Sequence, residues 1–133
     1  MLTQPLQSKF TIRDGHEVII ESDGSVTVRQ GNCIILATVV ANKEAREGQS
    51  FFPLSVDYQE KFASAGRIPG SFFKREARLN DYEILTSRLI DRALRPLFPE
   101  DYLCDVQVLV SLVSSDPEVM PDALACLAAS AAL

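Results

Sequence analysis

Residues 33–41, CIILATVVA, constrain the fold more than any other part of this sequence. Eight of the nine residues are apolar and none is charged. A strand that covers one side of a sheet alternates apolar with polar residues, whereas this run is apolar almost throughout. The run therefore predicts a central strand that is covered on both faces.

Turn signals divide the first half of the chain, and they are Asp14-Gly15, Ser22-Asp23-Gly24 and Gln30-Gly31-Asn32. The segments between and after them predict strands at residues 9–13, 18–21, 25–29, 33–41 and 51–58. Most of the connections are short turns, and one charged loop separates the last two strands. Together these segments predict an antiparallel meander.

Beyond residue 80 the apolar spacing becomes helical. The predicted apolar face consists of residues three and four positions apart, with two more that widen it: Tyr82, Leu85, Leu89, Ala93, Ile90 and Leu94. Asn80 or Asp81 can cap the start of this helix, and Pro96 limits its end. Residues 105–114 predict a further buried strand. Residues 122–133 predict a helix of small apolar residues whose two sides are both covered, as in a piece of a larger fold.

The composition is that of a soluble globular protein of one domain, with 133 residues of which 47% are hydrophobic and 23% charged. No apolar run approaches the roughly 20 residues that span a bilayer, and the first residues lack a signal-peptide core. We therefore expect a cytoplasmic protein without a membrane partner. Cys33, Cys104 and Cys126 are widely spaced, which predicts buried thiols rather than disulfides or a metal site. A lone histidine, His16, makes a histidine-based nucleophile system improbable.

Positive charge is concentrated between residues 61 and 95, although the net charge of the chain is −5. This window holds eight of the 13 basic residues against four acidic ones, a net charge of +4, while the remainder carries −9. An acidic protein with such a window is suited to bind an anion at one place. Phosphate and nucleic-acid backbones are the leading candidates.

Residues 66–78, GRIPGSFFKREAR, form the sharpest feature of that window. Gly66 and Gly70 let the backbone approach a ligand closely. Phe72 and Phe73 point in opposite directions in an extended segment, so one can anchor the loop while the other stacks on a base. The cations available for phosphate contacts are Arg67, Lys74, Arg75 and Arg78. The alternative is a surface loop that is pinned by one phenylalanine and surrounded by solvated charges.

Arg88, Arg92 and Arg95 stand at i, i+4 and i+7 on the predicted helix, so they form one stripe. Like charges at this spacing repel unless acidic groups or phosphates neutralise them. Asp91 can serve Arg88 or Arg95, and a neighbouring subunit can supply further acids. Phosphate contacts and structural or subunit contacts therefore remain equally compatible with this stripe.

Asp116 and Asp122 are the carboxylates that invite a metal-site interpretation, because paired carboxylates suit magnesium. Asp116 precedes Pro117, and Asp122 follows Pro121. This is the pattern of caps and first-turn acids at helix starts. The sequence therefore predicts capping roles and no metal-binding residue.

The chain closely resembles the first RNase PH-like domain of bacterial polynucleotide phosphorylases. The resemblance runs from about Phe10 to Leu133 and is carried by FFPLSVDYQEKFASAGRIPGSFFKREARLNDYEILTSRLIDRALRPLFPEDY and VMPDALACLAASAAL. It implies an α+β fold, RNase PH-like and ribosomal-protein-like, in which helices cover a mixed sheet. It also implies that residues 1–133 are one such domain, incomplete at its C-terminus.

The resemblance implies a function as well. Members of this family are 3′–5′ exoribonucleases that use inorganic phosphate as co-substrate and degrade mRNA to nucleoside diphosphates. They are homotrimers with a central channel for single-stranded RNA, they need magnesium, and they meet other RNA-degradation proteins. Their metal-binding aspartates and phosphate-binding serines belong to a second domain, so no catalytic residue is expected here.

Residue by residue, the resemblance places Phe72, Phe73, Lys74 and Arg75 in the loop that narrows the channel and touches RNA. The following basic positions of the family are matched by Arg78, Arg88, Arg92 and Arg95. Two departures stand out: Ala77 replaces a usual glycine, and the short Glu21–Asp23 connection predicts a shortened or misregistered hairpin. Two alternative functions remain, a non-catalytic ring-forming scaffold and a stand-alone RNase PH-like exonuclease.

Overall fold

The structure, a computed structural model, describes residues 6–12, 17–22, 25–70 and 78–133. Its strands are β1 (Leu6–Thr11), β2 (Glu17–Ser22), β3 (Val26–Gln30), β4 (Cys33–Ala41), β5 (Leu54–Glu60) and β6 (Val106–Ser114). Its α-helices are α1 (Asp81–Leu94) and α2 (Pro121–Ala132). The predicted elements are all present, with boundaries that differ by a few residues, and they form the expected α+β fold with a mixed sheet.

The sheet has the strand order β1-β2-β3-β4-β6-β5. The first four strands are antiparallel neighbours, which confirms the predicted meander up to β4. The meander is wrong for β5, because β6 lies between β4 and β5 and pairs in parallel with β5. The strongly apolar β6 takes the interior position, whereas β5, which carries Asp57 and Glu60, takes the edge, where charge is tolerated.

The pairing of β2 with β3 is regular. Its ladder runs without a shift from Val18↔Gln30 to Ser22↔Val26. Val18, Val26 and Val28 of this ladder are all buried. The expected misregistration is therefore not what the structure has, and the short connection leaves the apolar side of both strands on the core.

Both helices lie on one face of the sheet. Along β4, Cys33, Ile35 and Ala37 are buried, whereas the residues between them are partly exposed and Val40 is exposed. The predicted cover on both faces of β4 is therefore wrong for the part of the chain that the structure describes. The alternation arises because α2 packs on β3, β4 and β6 from a single side.

Helix α2 approaches the sheet closely through small side chains. Leu124, Ala125, Ala128 and Ala129 form its buried face. Its opposite side is partly exposed within the described ranges, so the expected cover on both sides of this helix is not met there. Among those same ranges, no helix is both long and apolar enough to cross a bilayer.

Helix α1 turns a different face to the core from the predicted one. Its buried residues are Glu83, Thr86, Ser87, Ile90 and Leu94, so the prediction is confirmed for the last two. The predicted stripe of Tyr82, Leu85, Leu89 and Ala93 is wrong, because all four residues are exposed. Leu85 is 64% exposed and Leu89 is 49% exposed.

Hydrogen bonds to the edge of β5 explain this orientation of α1. The backbone N–H of Tyr58 donates to Ser87 Oγ at 2.9 Å, and the N–H of Glu60 donates to Glu83 Oε1 at 2.7 Å. A buried N–H group without a partner costs about 1–3 kcal/mol. Polar residues of α1 therefore face the sheet, and two leucines are left on the outside.

Tyr58 is fully buried, and its hydroxyl donates to Glu60 Oε1 at 2.7 Å. Burial, followed by the hydrogen bond to Glu60 and the charge of that carboxylate, raises the pKa of Tyr58 well above its ordinary value of 10.0. The folded state thus keeps the phenolic proton at a pH where the unfolded chain releases it. The stability that this proton supports is complete below the unfolded pKa and is lost as the pH rises above it.

We expect the free energy of unfolding to fall by about 1.4 kcal/mol per pH unit above pH 10 on account of this one group. Tyr58→Phe removes the titrating hydroxyl, so its unfolding free energy should fall less steeply over the same range. Urea denaturation of both proteins at a series of pH values from about 8 to 11 measures the difference. An identical slope in the two proteins would show that Tyr58 does not carry the effect.

Candidate nucleic-acid interface

The predicted aromatic–basic loop is described only at its two sides. Phe72, Phe73, Lys74 and Arg75 lie outside the described residues. The predicted site residues on either side of them, Arg67 and Arg78, are both exposed. The geometry of the site is therefore built from these two cations and from α1.

The chain that leads to Arg67 is fixed by a short 3₁₀ helix, Phe62–Ala65. The N–H of Arg67 donates to Phe62 O at 2.9 Å, and the N–H of Gly66 donates to Ala63 O at 3.0 Å. Gly66 has a φ of 65°, a left-handed conformation that glycine adopts at little cost. Ser64 O also accepts from the N–H of Ser115, which ties this turn to the end of β6.

On the other side, Arg78 precedes the start of α1 by three positions. Of the two predicted caps, Asn80 is the N-cap of the helix, and its side chain accepts from the N–H of Glu83 at 2.8 Å. Glu83 Oε2 accepts in return from the N–H of Asn80 at 2.7 Å, which completes a capping box. Arg78 therefore projects from a chain segment whose end is fixed by two reciprocal hydrogen bonds.

Arg95 has a structural role in this chain. Two of its nitrogens donate to the carboxylate of Asp91, at 2.7 and 3.3 Å, so Asp91 serves Arg95 rather than Arg88. A third nitrogen donates to Phe52 O at 3.3 Å, and the guanidinium lies 5.7 Å from the centre of the Phe52 ring. These contacts hold the end of α1 against the chain that enters β5.

Arg88 and Arg92 differ from Arg95. Both are exposed, and neither forms an ion pair with any acidic side chain in the described part of the chain. They border a shallow groove of about 460 Å³ together with Leu85, Leu89 and Asp91. Of the three predicted arginines, these two are therefore the ones whose guanidinium groups are available to an anion or to a partner.

Three aromatic rings near Arg95 were missed by the sequence analysis. Phe52 lies 4.6 Å from Phe98 and 5.5 Å from Tyr102, measured between ring centres, and Phe98 lies 5.4 Å from Tyr102. The signal available in the sequence was the aromatic content of LFPEDY, directly after the predicted helix. This cluster positions Arg95 through the Phe52 contact.

The two aspartates that invite a metal interpretation are hydrogen-bonded to backbone amides. Asp116 accepts from the N–H of Asn32 and from that of Glu118, and Asp122 accepts from the N–H of Ala123 in the first turn of α2. Among the residues that the structure describes, no three His, Cys, Asp or Glu side chains are grouped as a metal site requires. The predicted helix-start role is confirmed for Asp122, which lies in the first turn of α2. It is wrong for Asp116, which closes a turn before α2, because the N-cap of that helix is Met120.

The three cysteines are free. Cys33 is buried, whereas Cys104 and Cys126 are only partly buried, so the prediction of buried thiols is confirmed fully for Cys33 alone. Burial raises the pKa of the Cys33 and Cys126 thiols above its ordinary value, which keeps them protonated at neutral pH.

Comparisons with known proteins agree with this architecture. Residues 9–133 match the 3′ exoribonuclease family, domain 1. A polyribonucleotide nucleotidyltransferase of Cytophaga hutchinsonii is 60% identical over 96% of this chain, and one of Parabacteroides distasonis is 52% identical over 99% of it. The chain covers 19% of the length of each of these two curated relatives.

Solved structures show the same fold at lower identity. A chain of an Archaeoglobus fulgidus exosome with RNA bound to the active site superposes with a TM-score of 0.60 at 17% identity, covering 97% of this chain and 50% of that one. Rice Rrp46 superposes with a TM-score of 0.54 at 18% identity, covering 100% of this chain and 56% of that one.

The chain belongs to the 3′ exoribonuclease family and corresponds to domain 1 of that family. Its relatives at 52–60% identity are polyribonucleotide nucleotidyltransferases, the enzymes also called polynucleotide phosphorylases. The resemblance stated from the residues alone is thereby confirmed.

The different roles of the α1 arginines give a stability prediction. Arg95→Gln should lower the free energy of unfolding by about 1 kcal/mol, because it removes an ion pair, a backbone hydrogen bond and a cation–π contact. Arg92→Gln on the same helix is the matched control and should change it by less than about 0.5 kcal/mol. Urea denaturation of the two variants makes the comparison, and equal losses would contradict the distinct role of Arg95.

Proposed function

We propose that this chain acts as the first domain of a phosphorolytic 3′–5′ exoribonuclease and that it guides RNA rather than cutting it. The observation that carries the proposal is the 60% identity, over 96% of this chain, to a polyribonucleotide nucleotidyltransferase. Since the chain covers 19% of that relative, the activity is proposed for the protein at its full native length.

In phosphorolysis, an oxygen of inorganic phosphate attacks the phosphorus of the terminal nucleotide. The new P–O bond yields a nucleoside diphosphate, while the bond to the 3′ oxygen of the preceding nucleotide breaks and that oxygen takes up a proton. Cations offset the charge that develops in the transition state. Magnesium supplies such charge when bound, but Asp116 and Asp122 do not fit a magnesium site, so we assign no catalytic step to this chain.

The contribution that we assign to the chain is electrostatic and positional. Arg67, Arg78, Arg88 and Arg92 are exposed cations of an otherwise acidic chain, so they attract the phosphates of single-stranded RNA. Between the first two, the sequence supplies Phe72 and Phe73 for stacking on bases and Lys74 and Arg75 for phosphate contacts. We extend the proposal to a cytoplasmic homotrimer that uses inorganic phosphate and magnesium and meets other RNA-degradation proteins.

A second function of α1 is favoured by its exposed leucines. Leu85 and Leu89 lie beside Arg88 and Arg92 on the outward side of the helix, where an apolar stripe flanked by cations suits a protein partner. In this alternative the arginines contact acids of a neighbouring subunit, and the domain acts as a scaffold of the ring. RNA binding and assembly are then affected by different substitutions.

The activity is tested directly with the protein at its full native length. With magnesium and inorganic phosphate, it should shorten poly(A) and release adenosine diphosphate, and omission of phosphate should abolish that release. Chromatography of the nucleotide products distinguishes the diphosphate from the monophosphate. Release of the monophosphate without phosphate would indicate hydrolysis and contradict the proposal.

RNA guidance is tested by the salt dependence of binding. Replacing Lys74 and Arg75 with alanine should weaken binding of single-stranded RNA and reduce the log–log salt slope by roughly 0.7 for each lost phosphate contact. Replacing Phe72 and Phe73 should weaken binding by about 1–3 kcal/mol per stacked base and leave the slope nearly unchanged. The effects separate because counterion release follows charge and stacking does not.

Fluorescence anisotropy with labelled RNA at several salt concentrations measures both quantities, and sedimentation checks that the oligomeric state is unchanged. A Lys74/Arg75 variant that keeps its affinity and its slope while its assembly is intact would remove these cations from the interface. The scaffold function would then be preferred.

A further inference from the structure

The carboxylate of Glu83 joins two chain segments that are far apart in sequence. Its Oε1 accepts from the N–H of Glu60, where β5 ends, and its Oε2 accepts from the N–H of Asn80, where α1 begins, each at 2.7 Å. The residue is only 5% exposed. One buried side chain therefore fixes both ends of the basic connection between β5 and α1.

We propose that Glu83 is a positioning residue for RNA binding, which sets where the cations Arg67 and Arg78 stand relative to each other. Glu83 binds the backbone at both ends of the connection and does not touch the cations. It affects their positions through the residues that lie between each end and its cation. The effect on RNA rests on the proposed function, whereas the fixing of the two ends does not.

The first arm runs from Glu60 to Arg67 and passes through a turn, beginning at Lys61, that backbone hydrogen bonds close. Ser64 N–H donates to Lys61 O, Gly66 N–H to Ala63 O and Arg67 N–H to Phe62 O, all within 2.9–3.0 Å. Because these bonds make the turn rigid, a displacement of Glu60 is transmitted to Arg67. The second arm is shorter, since Arg78 precedes Asn80 by only two residues.

A capping role alone does not account for Glu83. A capping box needs only the bond between its carboxylate and the N–H of Asn80, whereas the second oxygen accepts from a different element. Glutamine at this position has one carbonyl oxygen and an amide group that donates. It therefore satisfies one of the two N–H groups and presents a donor to the other, which releases one end of the connection.

Ser87 offers a matched control on the same helix. Its hydroxyl accepts from the N–H of Tyr58 and donates to Glu83 O, so it binds the same edge of β5 but neither end of the connection. Ser87→Ala thus removes an edge contact of comparable burial. A general loss of packing between α1 and β5 would affect both variants alike.

The test uses Glu83→Gln and Ser87→Ala in the protein at its full native length, with site-resolved amide exchange as the first readout. We expect exchange at Glu60, Asn80 and residues 61–67 to accelerate at least tenfold in Glu83→Gln, and Ser87→Ala to accelerate Tyr58 without that pattern. Equal acceleration of residues 61–67 in the two variants, or none in Glu83→Gln, would overturn the proposal.

The second readout is the affinity for single-stranded poly(A), measured with and without Arg67→Ala and Arg78→Ala. Glu83→Gln should weaken binding about three- to tenfold in the original background and less than twofold once both cations are absent. If Glu83→Gln weakens binding of poly(A) just as much when Arg67 and Arg78 are both replaced, Glu83 does not act through these cations. Faster exchange with unchanged affinity in the original background would keep the fixing of the ends and refute the role of Glu83 in RNA binding. The contacts of Arg67 and Arg78 are tested separately, because replacing both with alanine should by itself weaken binding of poly(A).

The unsubstituted protein supplies a test that does not depend on the variant folding. Since the N–H groups of Glu60 and Asn80 bind one carboxylate, loss of that carboxylate from its site exposes both. Their protection from exchange should therefore agree within about tenfold and fall together as urea is added. A hundredfold difference between the two amides would show that the ends are fixed independently.

Discussion

The outer edge of a parallel strand is the constraint on which this arrangement depends. β5 pairs with β6 on one side only, so its outward N–H groups need acceptors once α1 covers them. Ser87 and Glu83 supply those acceptors. Because the contacts require polar residues on the inner side of α1, the helix is rotated so that Leu85 and Leu89 lie outside. Hydrogen bonding on the inner side of α1 thus determines which residues lie on its outer surface.

The same orientation of α1 gives its three arginines different surroundings. Arg95 lies at the C-terminal end of α1. Its guanidinium binds the carboxylate of Asp91 and lies over the Phe52 ring. Arg88 and Arg92 lie on the outward side beside the leucines and keep their charge accessible. Three arginines that look equivalent in the sequence therefore have two roles: Arg95 is a structural cation, and Arg88 and Arg92 are surface cations. Within the described part of the chain, Arg88 and Arg92 are thus the two arginines of α1 whose charge is not neutralised by an ion pair.

Sequence reasoning succeeded where a short local pattern decides the structure. The apolar run of β4 was predicted at the correct residues, Asn80 was one of the two predicted caps, and the string GRIPGSFFKRE led to the correct family. It failed where the deciding contact is distant in sequence. Nothing near Glu83 or Ser87 indicates that the edge of β5 will need their oxygens, so the apolar spacing selected the wrong face of α1. The place of β6 between β4 and β5 is likewise a non-local pairing that strand patterns alone do not specify.

The candidate site was only partly predictable, because several contacts of α1 involve residues that are distant in sequence. The cations of the window were evident from composition, whereas the engagement of Arg95 depends on Phe52, which precedes it by 43 positions. The aromatic cluster of Phe52, Phe98 and Tyr102 joins segments on either side of α1, so no single window of sequence contains it. The role of Glu83 at both ends of the basic connection was not visible for the same reason.

The insertion of β6 between two earlier strands has a consequence for synthesis on the ribosome. The chain emerges from its N-terminus, so β4 and β5 are both made before their common neighbour β6 exists. Until residue 114 has left the exit tunnel, the apolar strand β4 keeps one edge open and β5 has no partner strand, so the nascent domain can complete only its first hairpins. Closure of the sheet then brings together β5 and β6, which are separated by the whole of α1, and contacts of such long sequence separation form slowly. The sheet of this domain is therefore completed by the arrival of a single strand.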